Sequence, residues 1–155
     1  MSDAIAILGA GICSLDPGLP AQYGLDGGSI DPAALPTHLR RRASQATKMA
    51  VTAARRACQN AHAEAKNLPS VFASAGGEIQ VTDALCLALP DPNGYISPTQ
   101  FHNSVHNTTA GYWSILNDCN APTTAIAASE ETVAMAFLEA WCMLRSHPGK
   151  VRIVC

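Results

Sequence analysis

Pro122-Thr123-Thr124-Ala125-Ile126-Ala127-Ala128, then Ser129-Glu130-Glu131-Thr132 and an apolar stretch to Leu144, then His147-Pro148-Gly149-Lys150 and Val151-Arg152-Ile153-Val154: this order decides the fold class. Pro122 to Ala128 is a run of small and β-branched residues with no helical period, which reads as a strand. Ser129 is expected to cap the helix that follows, with Glu130 and Glu131 in its first turn, where the helix dipole favours negative charge. Ala134, Phe137, Leu138, Trp141 and Leu144 recur at helical spacing and predict one buried face. The His147–Lys150 stretch turns the chain into a last strand, Val151 to Val154.

Working outward, the alternation continues. Ala4 to Leu8 predicts a buried strand entering the Gly9-Ala10-Gly11 turn. Asp16 to Pro36 carries four prolines and four glycines and reads as an irregular loop. Ala43 to Ala65 is alanine-rich and predicts a long helix, ended by Asn67-Leu68-Pro69. Ser70 to Ala75 predicts a strand broken by Gly76-Gly77. Glu78 to Leu89 predicts a helix closed by Pro90 to Gly94. Ser104 to Leu116 predicts another, capped by Ser104 or Asn103. The order β, α, β, α, α, β, α, β implies an α/β fold, helices flanking a mostly parallel or mixed sheet. Residues 1–155 form a single domain in this reading. A chain finishing within a strand is expected to be incomplete without a partner chain or a further element.

Composition narrows the function. The chain has 155 residues, 48% hydrophobic and 14% charged, with net charge −2. That balance excludes disorder and gives no electrostatic footprint for nucleic acid. No apolar run is long enough to span a membrane, and no basic, apolar leader opens the chain, so a cytoplasmic protein is expected. So little polar residue suggests surface covered by a partner. Cys13, Cys58, Cys86, Cys119, Cys142 and Cys155 contain no CxxC pair and read mostly as small buried hydrophobes, so no metal site is expected. Gly9-Ala10-Gly11 is not a dinucleotide loop: Ser14 stands where a third glycine belongs, and Pro17, Gly18 and Pro20 block the following helix. No cofactor is expected. His102 and His106, four apart, suit one helix face, but no carboxylate ligand is near in sequence, and they read as interior or interface groups. Arg40-Arg41-Arg42 is either a solvated basic loop or a docking patch for an acidic partner such as a carrier protein.

Four blocks resemble one family. Ile5 to Ser14 resembles its first strand and turn, Arg40 to Ala61 its first long helix, and Val71 to Gly77 its second strand. Ser97-Pro98, Asn107, Ala110-Gly111, Ser114-Ile115 and Pro122 match its pattern SP…N..AG..SI…P. The family is the β-ketoacyl synthases of the thiolase-like superfamily, N-terminal half only. In its active members the eighth residue after that proline is a nucleophilic cysteine at a helix start. Here that residue is Glu130, and the resemblance implies no catalytic residue in this chain, because the family's catalytic histidines lie in the C-terminal half. A ketosynthase-like chain without the nucleophile resembles a chain-length factor, in the short form of aryl polyene pigment clusters. The resemblance implies a heterodimer with a full-length β-ketoacyl synthase, joined through Thr123, Thr124, Ala125 and Ile126. Thr99, Gln100, Phe101 and His106 would line the partner's acyl tunnel, although Phe101 reads equally as core. The carrier protein would engage indirectly, with Arg40, Arg41 and Arg42 as a docking patch. The alternative is a stand-alone acyl- or carrier-protein-binding module of the same fold.

Overall fold

A computed structural model describes residues 5–16, 18–24, 27–146 and 148–155. The elements in chain order are β1 (Ile12–Cys13), α1 (Leu19–Gln22), β2 (Gly27–Gly28), α2 (Thr37–Arg40), α3 (Gln45–Asn60), β3 (Ser70–Ala73), α4 (Ile79–Ala88), α5 (Pro98–Asn103), α6 (Thr108–Asn117), β4 (Thr123–Ile126), α7 (Thr132–Ser146) and β5 (Arg152–Val154). The main sheet has the order β4-β3-β5, and both pairings are parallel. The small β1–β2 pair is parallel too. No antiparallel pair occurs among the described residues, so the sheet sits at the parallel end of the expectation.

β3 is central, and all four of its residues are buried. Successive side chains point to opposite faces. Phe72 and Val154 join Val51, Ala54, Tyr112 and Trp113 in the core beneath α3 and α6. Val71 and Ala73 meet Ala136 and Ala140 of α7 on the other face. The result is a three-layer α/β half-domain.

α3 begins as its sequence asks: Ser44 Oγ accepts from Thr47 N–H at 3.0 Å, an N-cap. It ends at Asn60, short of the predicted Ala65. His62 adopts φ +47. His62 N–H donates to Gln59 C=O and Ala63 N–H to Cys58 C=O, the two bonds of a Schellman stop.

Other expectations are corrected. Ile5 to Leu8 is no strand: Ile5, Ile7 and Leu8 are 55%, 77% and 55% exposed. The backbone that follows, Gly9 to Ile12, lies against α3 instead, where Asn60 Nδ2 donates to Ala10 C=O and Arg56 to Ile12 C=O. Gly11 permits this approach, since a Cβ there would stand 2.4 Å from Ala53 O and Ala57 N. The Asp16–Pro36 loop holds α1, β2 and a 3-10 turn at Pro32–Ala34. The predicted Ser104–Leu116 helix is two helices, α5 and α6, because Pro98 starts a helix of its own as its first residue. Ser104 closes α5 rather than capping α6. Only Cys58 and Cys119 are buried; Cys86, Cys142 and Cys155 are exposed and Cys13 half-buried, all as free thiols. The large residues predicted to bury on α7 face outward, because alanines provide its contact with the sheet. The expectations at Ala4, Pro17 and His147 fall outside the described residues.

Candidate functional site

The C-terminal ends of β3 and β4 lie side by side: Ser74 N–H donates to Ile126 C=O at 3.0 Å. In open α/β sheets this edge is where binding groups gather. β3 runs out through Ser74 to Gly77, and Ser74 Oγ accepts from Gly77 N–H at 3.0 Å. Gly77 has φ +52, and a Cβ there would meet His106 Nδ1 at 2.8 Å. His106 therefore belongs to this edge. Gly77→Ala is expected to destabilise the chain by about 1–3 kcal/mol through backbone strain and contact together. In thermal unfolding, adding His106→Ala should recover only part of the loss, because the φ strain persists.

Beyond β4 the chain turns sharply. Ser129 adopts φ +51, a left-handed conformation disfavoured for a side-chain-bearing residue. Thr132 holds it there: its Oγ1 accepts from Ala128 N–H at 3.0 Å and donates to Ser129 C=O at 2.6 Å. Ser129 is thus not the helix cap predicted; it sits in a 3-10 turn, Ser129–Glu131, that leads into α7. Glu130 is exposed within that turn.

A buried carboxylate lies next to this edge. Glu78 is 7% exposed. Its Oε1 accepts from Ser44 Oγ and Thr47 Oγ1, both at 2.8 Å, and Thr47 Oγ1 lies 2.9 Å from Thr109 Oγ1. Three places are tied here: the start of α3, the start of α6 and the junction at Glu78 where the loop after β3 enters α4. The sequence reading missed this role. Its signal was a carboxylate placed directly after Gly76-Gly77 at the head of an apolar helix.

Thr99, Gln100 and Phe101 lie on α5, all exposed, Phe101 at 67%. Within this chain, Phe101 is not core. His102 and His106 do not share a helix face: His102 sits edge-on to Tyr112 with ring centroids 6.4 Å apart, while His106 lies past the end of α5 beside Gly77. Tyr112 OH donates to Asn103 Oδ1 at 3.3 Å, and Asn103 Nδ2 donates to Arg42 C=O. Burial pushes the Tyr112 hydroxyl pKa up. Asn103 thereby fastens α5 beside the Arg40–Arg42 turn, in which Arg40 donates to Pro32 C=O and Arg41 and Arg42 are exposed.

Thr123 to Ile126 are half-buried on an edge strand, since among the described residues β4 pairs only with β3. Pro122 and Ile126 carbonyls accept from Ser70 and Ser74 N–H. By strand alternation the backbone groups of Thr123 and Ala125 then point outward, away from β3. Thr124 Oγ1 donates to Glu139 Oε1 at 3.1 Å, tying the strand to α7. Among the described residues, no three His, Cys, Asp or Glu side chains converge on a metal-sized point.

A model of the N-terminal domain of β-ketoacyl synthases matches residues 20–155. The chain belongs to that family. A comparison with curated proteins gives no match. The structure of ketosynthase ApeO in complex with its chain length factor ApeC, from Xenorhabdus doucetiae, superposes with TM-score 0.63 at 23% identity, over 73% of this chain and 45% of that one. A β-ketoacyl synthase from Burkholderia phymatum superposes with TM-score 0.65 at 16% identity, over 79% of this chain and 32% of that one. This ketosynthase-family chain spans less than half the length of either relative, and the likeness at such identity is one of fold. No helix among its described residues is long and apolar enough to cross a membrane.

Proposed function

We propose that this chain is a non-catalytic chain-length-factor subunit, cytoplasmic, that pairs with an active ketosynthase and shapes its acyl tunnel during fatty acid or polyketide elongation of the aryl polyene type. One observation carries the reading. By its resemblance to the family's motif, counted from Pro122, Glu130 stands where active members carry the cysteine, and it sits in a turn that Thr132 Oγ1 holds through Ala128 N–H and Ser129 C=O. A carboxylate there cannot form the acyl thioester. The partner supplies the covalent steps: acyl transfer to its own cysteine, then decarboxylative condensation with a malonyl group on a carrier protein. The outer edge of β4, which no strand among the described residues pairs with, supports strand addition to the partner's sheet. Thr99, Gln100, Phe101 and His106 close the tunnel, and Arg40, Arg41 and Arg42 form a basic patch for an acidic carrier protein.

Co-expression with the ketosynthase encoded nearest to it, followed by size-exclusion chromatography with mass determination, tests this. A one-to-one complex supports the reading. A lone chain that ignores the ketosynthase yet binds acyl groups or carrier protein returns the stand-alone module. Within the complex, Phe101→Ala is expected to lengthen products by about one to three extension units, since a ring fills the space of several methylenes. Mass spectrometry of the released products reads the shift; unchanged lengths remove Phe101 from the tunnel.

A further inference from the structure

Arg152 opens β5 at the end of the parallel sheet opposite the Glu130 turn, in register with Ser70 of β3. Only 4% of it is exposed. Nη1 donates to Cys58 Sγ at 3.6 Å, and Nη2 donates to Ser70 Oγ, whose own hydrogen goes to Leu68 C=O at 2.9 Å. Among the described residues Nε has no hydrogen-bond partner, and neither has the buried indole Nε1 of Trp113, the ring against which the guanidinium packs. Buried donors thus outnumber acceptors here, and one of the two acceptors is a sulfur, a weak one. Burial pulls the Arg152 pKa down, and the hydrogen bond and charge of Cys58 oppose that pull. Cys58 is buried but not sealed in. With Trp113 it lines a pocket of about 390 Å³ at the C-terminal ends of α3 and α6, which Arg55, Gln59, His62 and Asn117 also line.

We propose that Cys58 is a modification site: hydrogen peroxide oxidises it to a sulfenic acid whose oxygen the Arg152 guanidinium holds. The attacking form is the thiolate, whose charge a neighbouring guanidinium favours. Sulfur attacks one peroxide oxygen. The S–O bond forms, the O–O bond breaks, and the leaving hydroxide takes the proton that the thiol gave up. One thiol and one peroxide become one sulfenic acid and one water, with two electrons passing from sulfur to peroxide. The new oxygen is the acceptor that this cluster lacks. A small thiol restores Cys58 through a mixed disulfide. The pocket has many times the volume of a water, so peroxide enters it. Cys13 also has an arginine beside it, but burial pushes its thiol pKa up, and Arg56 spends its hydrogens on the Ile12 and Ser29 carbonyls. The site shares no residue with the β4 edge or α5, so peroxide sensitivity and ketosynthase pairing succeed or fail separately.

The test treats the reduced full chain with less than one equivalent of hydrogen peroxide, then unfolds it in urea containing dimedone, which captures sulfenic acids. Peptide mass spectrometry reads the label at each cysteine. Cys58 is expected to carry about fivefold or more the label of Cys86, Cys142 and Cys155, although those three are exposed and it is buried. When urea precedes the peroxide, the preference should vanish to within about twofold, because only the fold brings Arg152 to Cys58. Arg152→Met should lower the label at Cys58 by about tenfold while the exposed thiols keep theirs. Gln59→Trp, an exposed change that narrows the pocket and spares the fold, should slow oxidation of Cys58 by about threefold or more. Label that follows exposure, that is unchanged in Arg152→Met and Gln59→Trp, or that keeps its preference in urea overturns the proposal.

Discussion

Trp113→Ala is expected to leave much of the protein unfolded at room temperature. Trp113 is fully buried on α6. Its ring packs at a tilt of 52° against Phe72, with centroids 6.5 Å apart, and the Arg152 guanidinium lies 3.8 Å from its centroid. Arg152 is itself buried, donating to Ser70 Oγ and to Cys58 Sγ, and among the described residues no carboxylate pairs with it. Burial pulls its pKa down, yet arginine starts so high that it stays charged. The indole face is thus the main group balancing a desolvated cation. Truncating a buried tryptophan costs about 3–5 kcal/mol, and losing a desolvated cation–π contact adds about 2 kcal/mol. Domains of this size have only about 5–15 kcal/mol in total. Urea titration followed by circular dichroism measures the loss. A double-mutant cycle with Arg152→Met separates the contributions: in the Trp113→Ala background, removing the charge should recover about 1–2 kcal/mol. A loss below about 1 kcal/mol would show that Trp113 does not organise this core.

Much of the fold was legible because period and punctuation agreed. The glycines after Ala75 and the proline before Ser70 bracketed β3, and the alanine-rich run from Ala43 announced α3. α7 was legible as a helix, but its buried face was not. Pattern reading weighs large apolar residues, whereas a helix approaches a sheet most closely through alanine. Ala136 and Ala140 are the contact, and Phe137, Leu138 and Trp141 are left for another surface. Ile5 to Leu8 fails for a related reason. Its composition suits a strand, but a strand needs an edge to pair with, and here side chains of α3 hold the neighbouring backbone instead.

The candidate site was legible in part. Counting from Pro122 along the motif leads to Glu130, which the structure has exposed in the turn between β4 and α7. The strained Ser129 and the Thr132 hydroxyl that sustains it could not be reached by counting, because φ is not written in residue type when a serine takes the left-handed region. His102 and His106 looked like partners by spacing alone. The end of α5 falls between them, and helical spacing has meaning only within one helix.

Ala125→Pro is expected to abolish ketosynthase pairing while the chain stays folded. The argument rests on which way backbone groups point. Pro122 and Ile126 carbonyls face β3, accepting from Ser70 and Ser74 N–H. Ala125 therefore directs its N–H to the open edge, and proline there removes a donor that β3 never used. Thr124→Pro instead removes a donor directed at β3 and should destabilise the chain by about 3 kcal/mol. If the two subunits join by strand addition, Ala125→Pro should weaken the complex by about 100-fold or more, through one lost hydrogen bond and a ring standing in the partner's path. Isothermal titration against the purified ketosynthase reads the affinity, and thermal unfolding of the free chain verifies that the fold survives. Side chains alone could also make an interface on this strand, and then Ala125→Pro would change affinity little while Thr123→Arg would change it greatly. An Ala125→Pro chain that keeps its melting temperature and still binds at full strength would place the partner on another surface. The backbone direction at one residue thereby separates an extended sheet from a contact of side chains.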